Sequence, residues 1–281
     1  MDGHPPPPAQ GTMTSTTTYA VLGSTGNCGS ANIEILSKRP DARVHAYCRN
    51  RSKLLQRFPT IGDNKRVEIF EGNLHDVDLI ASCIRGCAAV FLCVSTNDNV
   101  PLCRLSEDSA AVVIKALRGL KKESERTGKP VKLPKLILLS SGTVDERFSR
   151  HVPRLLLPIL LRSASYVYQD LINTEKLLDQ EKSWLTSVYM KPGALSVDEP
   201  RGYALSLDDQ SGPTAYLDLA AAMVEVADDT SGQYDGKSVS MVCTNGPAKF
   251  PSGTPLCIVT GLLRHYFPWL HPYLPLDTGP R

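Results

Sequence analysis

The sequence predicts an α/β fold built on a doubly wound, mostly parallel sheet, with a small C-terminal lobe that caps a substrate. Short Val/Ile/Leu-rich runs alternate with longer amphipathic stretches over most of the 281 residues. That is the pattern of strands buried on both faces and joined by crossover helices. The first run is followed directly by a glycine-rich turn, and alternation at this spacing calls for right-handed βαβ units.

Residues 1–17 are rich in Pro and Thr, lack an apolar period, and read as a disordered arm. Strands are expected at YAVLG from Tyr19, RVHAYC from Arg43, RVEIFEG from Arg66, AAVFLCVS from Ala88, KLILLSSG from Lys135 and LTSVYMKPG from Leu185. Helices are expected over Asn32 to Ser37, Lys53 to Phe58, Asp76 to Cys83, Asp108 to Arg118 and Asp170 to Leu178. After Gly193 the pattern loosens into a helix from about Leu217, a strand in GKSVSMVC and an aromatic, Pro-punctuated tail. The reading is one domain over 18–281. Elements from about 193–281, with the segment around Val152 to Leu161, are expected to wall a pocket at the carboxyl ends of the strands.

Lys plus Arg number 31 and Asp plus Glu 29, so no net field draws the molecule to nucleic acid or an acidic membrane. No run reaches the ~18 apolar residues needed to span a bilayer. The eight cysteines form no CxxC and no Cys/His cluster at zinc spacing, so neither disulfides nor a metal are expected. These features predict a soluble, cytoplasmic protein whose partner is a small molecule, with a homodimer left open.

The turn Gly23-Ser24-Thr25-Gly26-Asn27-Cys28-Gly29 joins a strand to a helix, where glycines let the backbone approach a pyrophosphate and the helix amides bind its charge. A Rossmann-like dinucleotide site follows. Where an NAD-selective site carries a carboxylate at the second strand tip, this chain has Arg49-Asn50-Arg51-Ser52-Lys53. Arg49 and Lys53 can fork a 2′-phosphate, so the expected cofactor is NADP, with Arg51 read as a solvated helix start. Asn73 and Leu74 at the third tip are expected beside the adenine. Ser95 and Thr96 at the fourth are expected beside the ribose and pyrophosphate.

GSTGNCG, the Arg49 tip, FEGNLHD, LSSGT and YMKPGAL together resemble the NmrA-like branch of atypical short-chain dehydrogenases, over about Tyr19 to Val242. The ending is similar to averufin oxidase A-like fungal proteins, tailoring enzymes of aromatic polyketide pathways. The resemblance implies an oxidoreductase using a Ser, a Tyr and a Lys four residues after the Tyr. Ser141 matches the Ser. Tyr168 is the candidate Tyr, but Ile172 stands where Lys belongs; choosing Tyr166 instead puts Asp170 there. Catalytic candidates are therefore Ser141, Tyr168, Tyr166 and Asp170, with the usual dyad broken. Lys191 reads as a support for the cofactor loop, and His151 and Asp145 as loop residues near the same mouth.

The expected function is an NADP(H)-dependent reductase acting on an aromatic or quinone-like secondary metabolite of a polyketide pathway. The broken dyad keeps two alternatives open: an NADP-sensing regulator without turnover, and a non-redox isomerase or cyclase on the same scaffold.

Overall fold

The computed structural model describes residues 16–279. Strands are β1 (Thr17–Leu22), β2 (Ala42–Cys48), β3 (Val67–Glu71), β4 (Ala89–Leu92), β5 (Lys135–Leu139), β6 (Ser187–Met190), β7 (Leu195–Ser196), β8 (Tyr203–Ser206), β9 (Thr214–Ala215) and β10 (Ser238–Cys243). Helices are α1 (Asn27–Lys38), α2 (Arg51–Arg57), α3 (Val77–Ile84), α4 (Leu105–Thr127), α5 (Glu146–Ser149), α6 (Leu157–Ser163), α7 (Ser165–Gln180), α8 (Tyr216–Asp228) and α9 (Thr254–Tyr266).

Eight strands form one sheet in the order β3-β2-β1-β4-β5-β6-β10-β8. The first seven are parallel, and β8 closes the edge antiparallel to β10. The order reverses between β1 and β4, the switch point at which such sheets bind ligands beyond their strand ends. One face buries Val21, Phe91 and Val188 under α1 and α8; the other buries Leu22, Val90 and Leu136 under α3, α4 and α7. All six strands expected from the sequence are present.

Element ends differ for identifiable reasons. The arm expected over 1–17 lies outside the described residues except at its end, where Thr17 already pairs with Ala42 in β1. Helix α1 starts at Asn27, five residues before its expected start, because the glycine turn itself supplies the first helical turn; Asn27, Ser30 and Asn32 hide the apolar period. Helix α4 runs far past Arg118: its core-facing stripe ends at Leu120, and LKKESERT continues as solvated helix until Gly128 caps it in the left-handed region (φ 68°).

α8 and β10 complete the main core and sheet, leaving the β7–β9 pair, α6, α9 and a 3-10 turn over Pro268–Tyr273 outside it. Asn99, just beyond β4, ties these parts together. Its Nδ2 donates to Gly261 O (3.0 Å) and Arg162 O (3.3 Å), and its Oδ1 accepts from Tyr166 N (2.8 Å). The aromatic side chains at the end of the tail do not fold inward: Trp269 is 68% and Tyr273 82% exposed. Among the described residues, no helix is long and apolar enough to cross a membrane.

Candidate functional site

The β1–α1 turn is shaped by backbone crowding. Gly23 has φ 90°, and a Cβ there would lie 2.6 Å from Cys93 O; a Cβ at Gly29 would collide with Gly23 O. The turn can therefore pass close to the β4 tip only with glycine at 23, and α1 can close onto the turn only with glycine at 29. Gly26 caps helix α1 without a side-chain hydrogen bond, and the first turn holds no acidic residue. The helix dipole favours an anion at this end.

Two side chains of the loop turn inward, so Ser24 and Cys28 can offer a ligand their backbone alone. Ser24 is buried and its hydroxyl donates to Val21 O (2.8 Å). Cys28 points into the core, with Sγ 3.6 Å from Met223 Sδ. Thr25 and Gly26 stay at the surface of the turn. Asn27 is held from α2, both terminal nitrogens of Arg57 lying 3.2 Å from its Oδ1. Arg57 is a cation at this turn that sequence reading passed over, although it shares a helix face with Lys53 at i, i+4. Tyr216, at the start of α8, was also missed. Burial raises its phenol to about 12, while contacts with Asn27 and Asn97 pull the other way.

At the β2 tip Arg49 and Lys53 are exposed. Asn50 caps α2, its Oδ1 accepting from Lys53 N at 2.9 Å. A carboxylate does stand here after all: Glu71, from the end of β3, accepts from Arg51 N at 2.8 Å. Strand neighbours from different parts of the sequence meet at this corner, so a motif read along β2 alone could not reveal it.

Asn73 is exposed beside that corner, its Oδ1 accepting from His75 N (2.9 Å). Leu74 is buried at 8% exposure and packs in the core, so it offers a ligand backbone only. Beyond β4, Ser95 is exposed, and Thr96 Oγ1 accepts from Asp98 N at 3.1 Å.

Ser141 follows β5 and opens a tight turn, its Oγ accepting from Thr143 N (3.3 Å). Tyr168 reaches the same turn from α7. Burial raises its phenol pKa above the ordinary tyrosine value, while the hydroxyls of Thr143 and Ser141 oppose that rise as hydrogen-bonding neighbours. Cys257 of α9 is a further ionisable neighbour of this phenol, and its Sγ donates to Asn97 O at 3.3 Å. Nothing in the tail sequence marked Cys257.

Tyr166 and Asp170 do not join Ser141. Residues two apart on a helix point about 200° apart, so α7 can present Tyr168 to this turn only by turning the other two away. Asp170 is 1% exposed; its two carboxylate oxygens accept from Ser106 N and Glu107 N, each at 2.9 Å. It fixes the first turn of α4, which corrects its catalytic assignment.

Behind Ser141 lies a buried charge cluster. Lys191 Nζ sits 2.8 Å from Glu175 Oε2 and 3.3 Å from Asp145 Oδ2, and Glu175 Oε1 accepts from the Ser140 hydroxyl. Burial alone would raise the Asp145 carboxyl, but Arg147 and Lys191 hold it below the usual carboxylate range. His151 is exposed at 66%, paired with Asp209.

A glycine cradle at a helix N-terminus, beside cations and at a switch point, fits a dinucleotide. The family model for NAD(P)H-binding proteins matches residues 23–230. The chain belongs to this family. Oxidoreductase nsrR of Aspergillus novofumigatus is 63% identical over 264 residues, covering 94% of this chain and 98% of its own. Oxidoreductase claK of Passalora fulva is 58% identical over 265 residues, covering 94% and 98%. A short-chain dehydrogenase/reductase of Veillonella parvula, solved in complex with NADP, matches in fold with TM-score 0.57 at 16% identity, covering 84% of this chain and 99% of its own. This NAD(P)H-binding chain is accordingly an oxidoreductase.

Proposed function

We propose that the protein is an NADP(H)-dependent reductase in which Tyr168 delivers a proton to a carbonyl oxygen that Ser141 positions. The substrate class that suits it is a flat aromatic or quinone-like secondary metabolite of a polyketide pathway, the chemistry of the NmrA-like and averufin oxidase A-like groups that its motifs resemble. The observation that carries this reading is the meeting of Ser141, Thr143 and Tyr168 at the β5 tip with the phenol pKa raised. Such a phenol is protonated at neutral pH and is a donor.

NADPH, when bound, supplies the hydride. The chain's own residues do the rest. The α1 amides and the Gly23–Gly29 cradle suit the pyrophosphate, and Arg49 with Lys53 suits a 2′-phosphate. The reaction requires no lysine in this direction, because an intact phenol donates without being ionised first. Ile172 would handicap the reverse oxidation, which needs a phenolate.

The test is NADPH consumption against a panel of quinones and aromatic ketones. Turnover that falls about 100-fold or more in Tyr168→Phe, the scale of lost general acid catalysis, supports the reading. No consumption with any panel member overturns it. Ile172 also favours a second reading, an NADP sensor without turnover. NADPH binding that changes affinity for a protein partner, with no substrate consumed, would select it.

A further inference from the structure

The loop between β8 and β9 places Gln210 across the tips of β5 and β6. A Cβ on Gly142 would collide with Gln210 Oε1, and a Cβ on Gly193 would lie 3.1 Å from its Nε2. The two tips are joined beneath it by Gly142 N donating to Pro192 O at 2.8 Å. The carboxamide thus fills the space that both glycines leave, one residue from Ser141. Its Oε1 is buried with no hydrogen-bond partner among the described residues. A native fold rarely leaves a buried acceptor unanswered, and a ligand N–H would answer this one.

The direction in which a dinucleotide must lie supplies that N–H. Its phosphates belong at the β1–α1 turn and its adenosine at the Arg49 corner, so the other end runs past β4 toward β5 and β6. We propose that Gln210 is a positioning residue for the nicotinamide ring, its Oε1 accepting from the ring's carboxamide –NH2. This rests on the dinucleotide reading above and adds to it what fixes the ring. A nicotinamide so held cannot rotate about its glycosidic bond, which would present one face consistently to a carbonyl at Ser141 and Tyr168.

The test is equilibrium binding by three ligands. They are NADP+, its 3-acetylpyridine analogue, which keeps the carbonyl and lacks the N–H, and 2′-phospho-ADP-ribose, which lacks the ring. Wild-type protein should bind NADP+ about tenfold more tightly than the acetylpyridine analogue, as expected for one hydrogen bond to an otherwise orphaned buried group. Gln210→Leu should bind the two alike by losing affinity for NADP+ alone, while keeping wild-type affinity for 2′-phospho-ADP-ribose. Gln210→Glu, which retains an acceptor, should keep the preference.

Wild-type protein that does not distinguish NADP+ from the analogue overturns the proposal, even if Gln210→Leu fails to fold. So does Gln210→Leu retaining the wild-type preference. Failure of all three ligands to bind wild-type protein would instead bring down the dinucleotide reading itself, and this proposal with it.

Discussion

Lys191 Nζ stands 2.8 Å from Glu175 Oε2 in a setting where Lys191 is 4% exposed. Glu175 also receives the Ser140 hydroxyl, so the pair anchors the residue beside Ser141 from behind. An ammonium taken out of water is stable only while its carboxylates stay in place. Glu175→Gln keeps the shape and removes the charge. Because Asp145 still faces Lys191, the expected loss is about 2 kcal/mol, below that of fully breaking a buried pair. Adding Lys191→Met should recover part of it. Urea midpoints of the single and double variants check this; strictly additive losses would show that the two charges do not act as a pair.

Asp170 gives a prediction of the opposite kind. It binds Ser106 N and Glu107 N, and so organises the start of α4 from across the α4–α7 contact. Asp170→Ala should cost about 1 to 3 kcal/mol, the price of leaving buried amides without an acceptor. Dinucleotide affinity and turnover of the folded fraction should stay within about twofold, because the carboxylate does not reach Ser141. A large fall in turnover without a fall in melting temperature would return Asp170 to the chemistry.

The parallel sheet was legible because each strand carries its own short apolar run. The phosphate turn was legible because Gly23 to Gly29 are contiguous. What sequence could not show arises from parts of the chain that meet only after folding. Glu71 enters the Arg49 corner because β3 lies beside β2. Gln210 arrives from a loop, and Cys257 from a tail helix that the sequence reading did not anticipate. The assignment of Asp170 fell to helix geometry: its spacing from Tyr168 already placed the two on different faces, and its partners on α4 are more than sixty residues away.

The Arg49 corner tests cofactor choice in two directions. Arg49 is exposed and suited to a 2′-phosphate, while Glu71 brings a negative charge to the backbone beside it. Arg49→Glu should weaken NADPH binding by about tenfold or more, the scale of a lost charged hydrogen bond, and leave NADH nearly unchanged. Glu71→Gln should move NADPH affinity the other way, by a smaller factor because the corner is solvated. Titrations of both coenzymes against the three proteins settle it. Equal loss of NADH and NADPH affinity in Arg49→Glu would mean that Arg49 acts on the fold or on the shared adenosine.

Tyr168 makes the pH dependence specific. Burial lifts its phenol above the ordinary tyrosine value, and Ser141 and Thr143 only partly offset this. The neutral phenol is the form that donates a proton, so it persists through the whole physiological range. Carbonyl reduction should therefore show no fall in kcat/KM with rising pH until above about 10, the unperturbed tyrosine value. Alcohol oxidation needs the phenolate instead, so its rate should climb about tenfold per pH unit over that range without reaching a plateau. In Tyr168→Phe this climb should disappear along with most of the activity. A reduction profile with a basic limb near neutrality, absent from Tyr168→Phe, would show that some group lowers the phenol as a lysine would, and would overturn the raised pKa; turnover that persists undiminished in Tyr168→Phe would overturn the donor assignment.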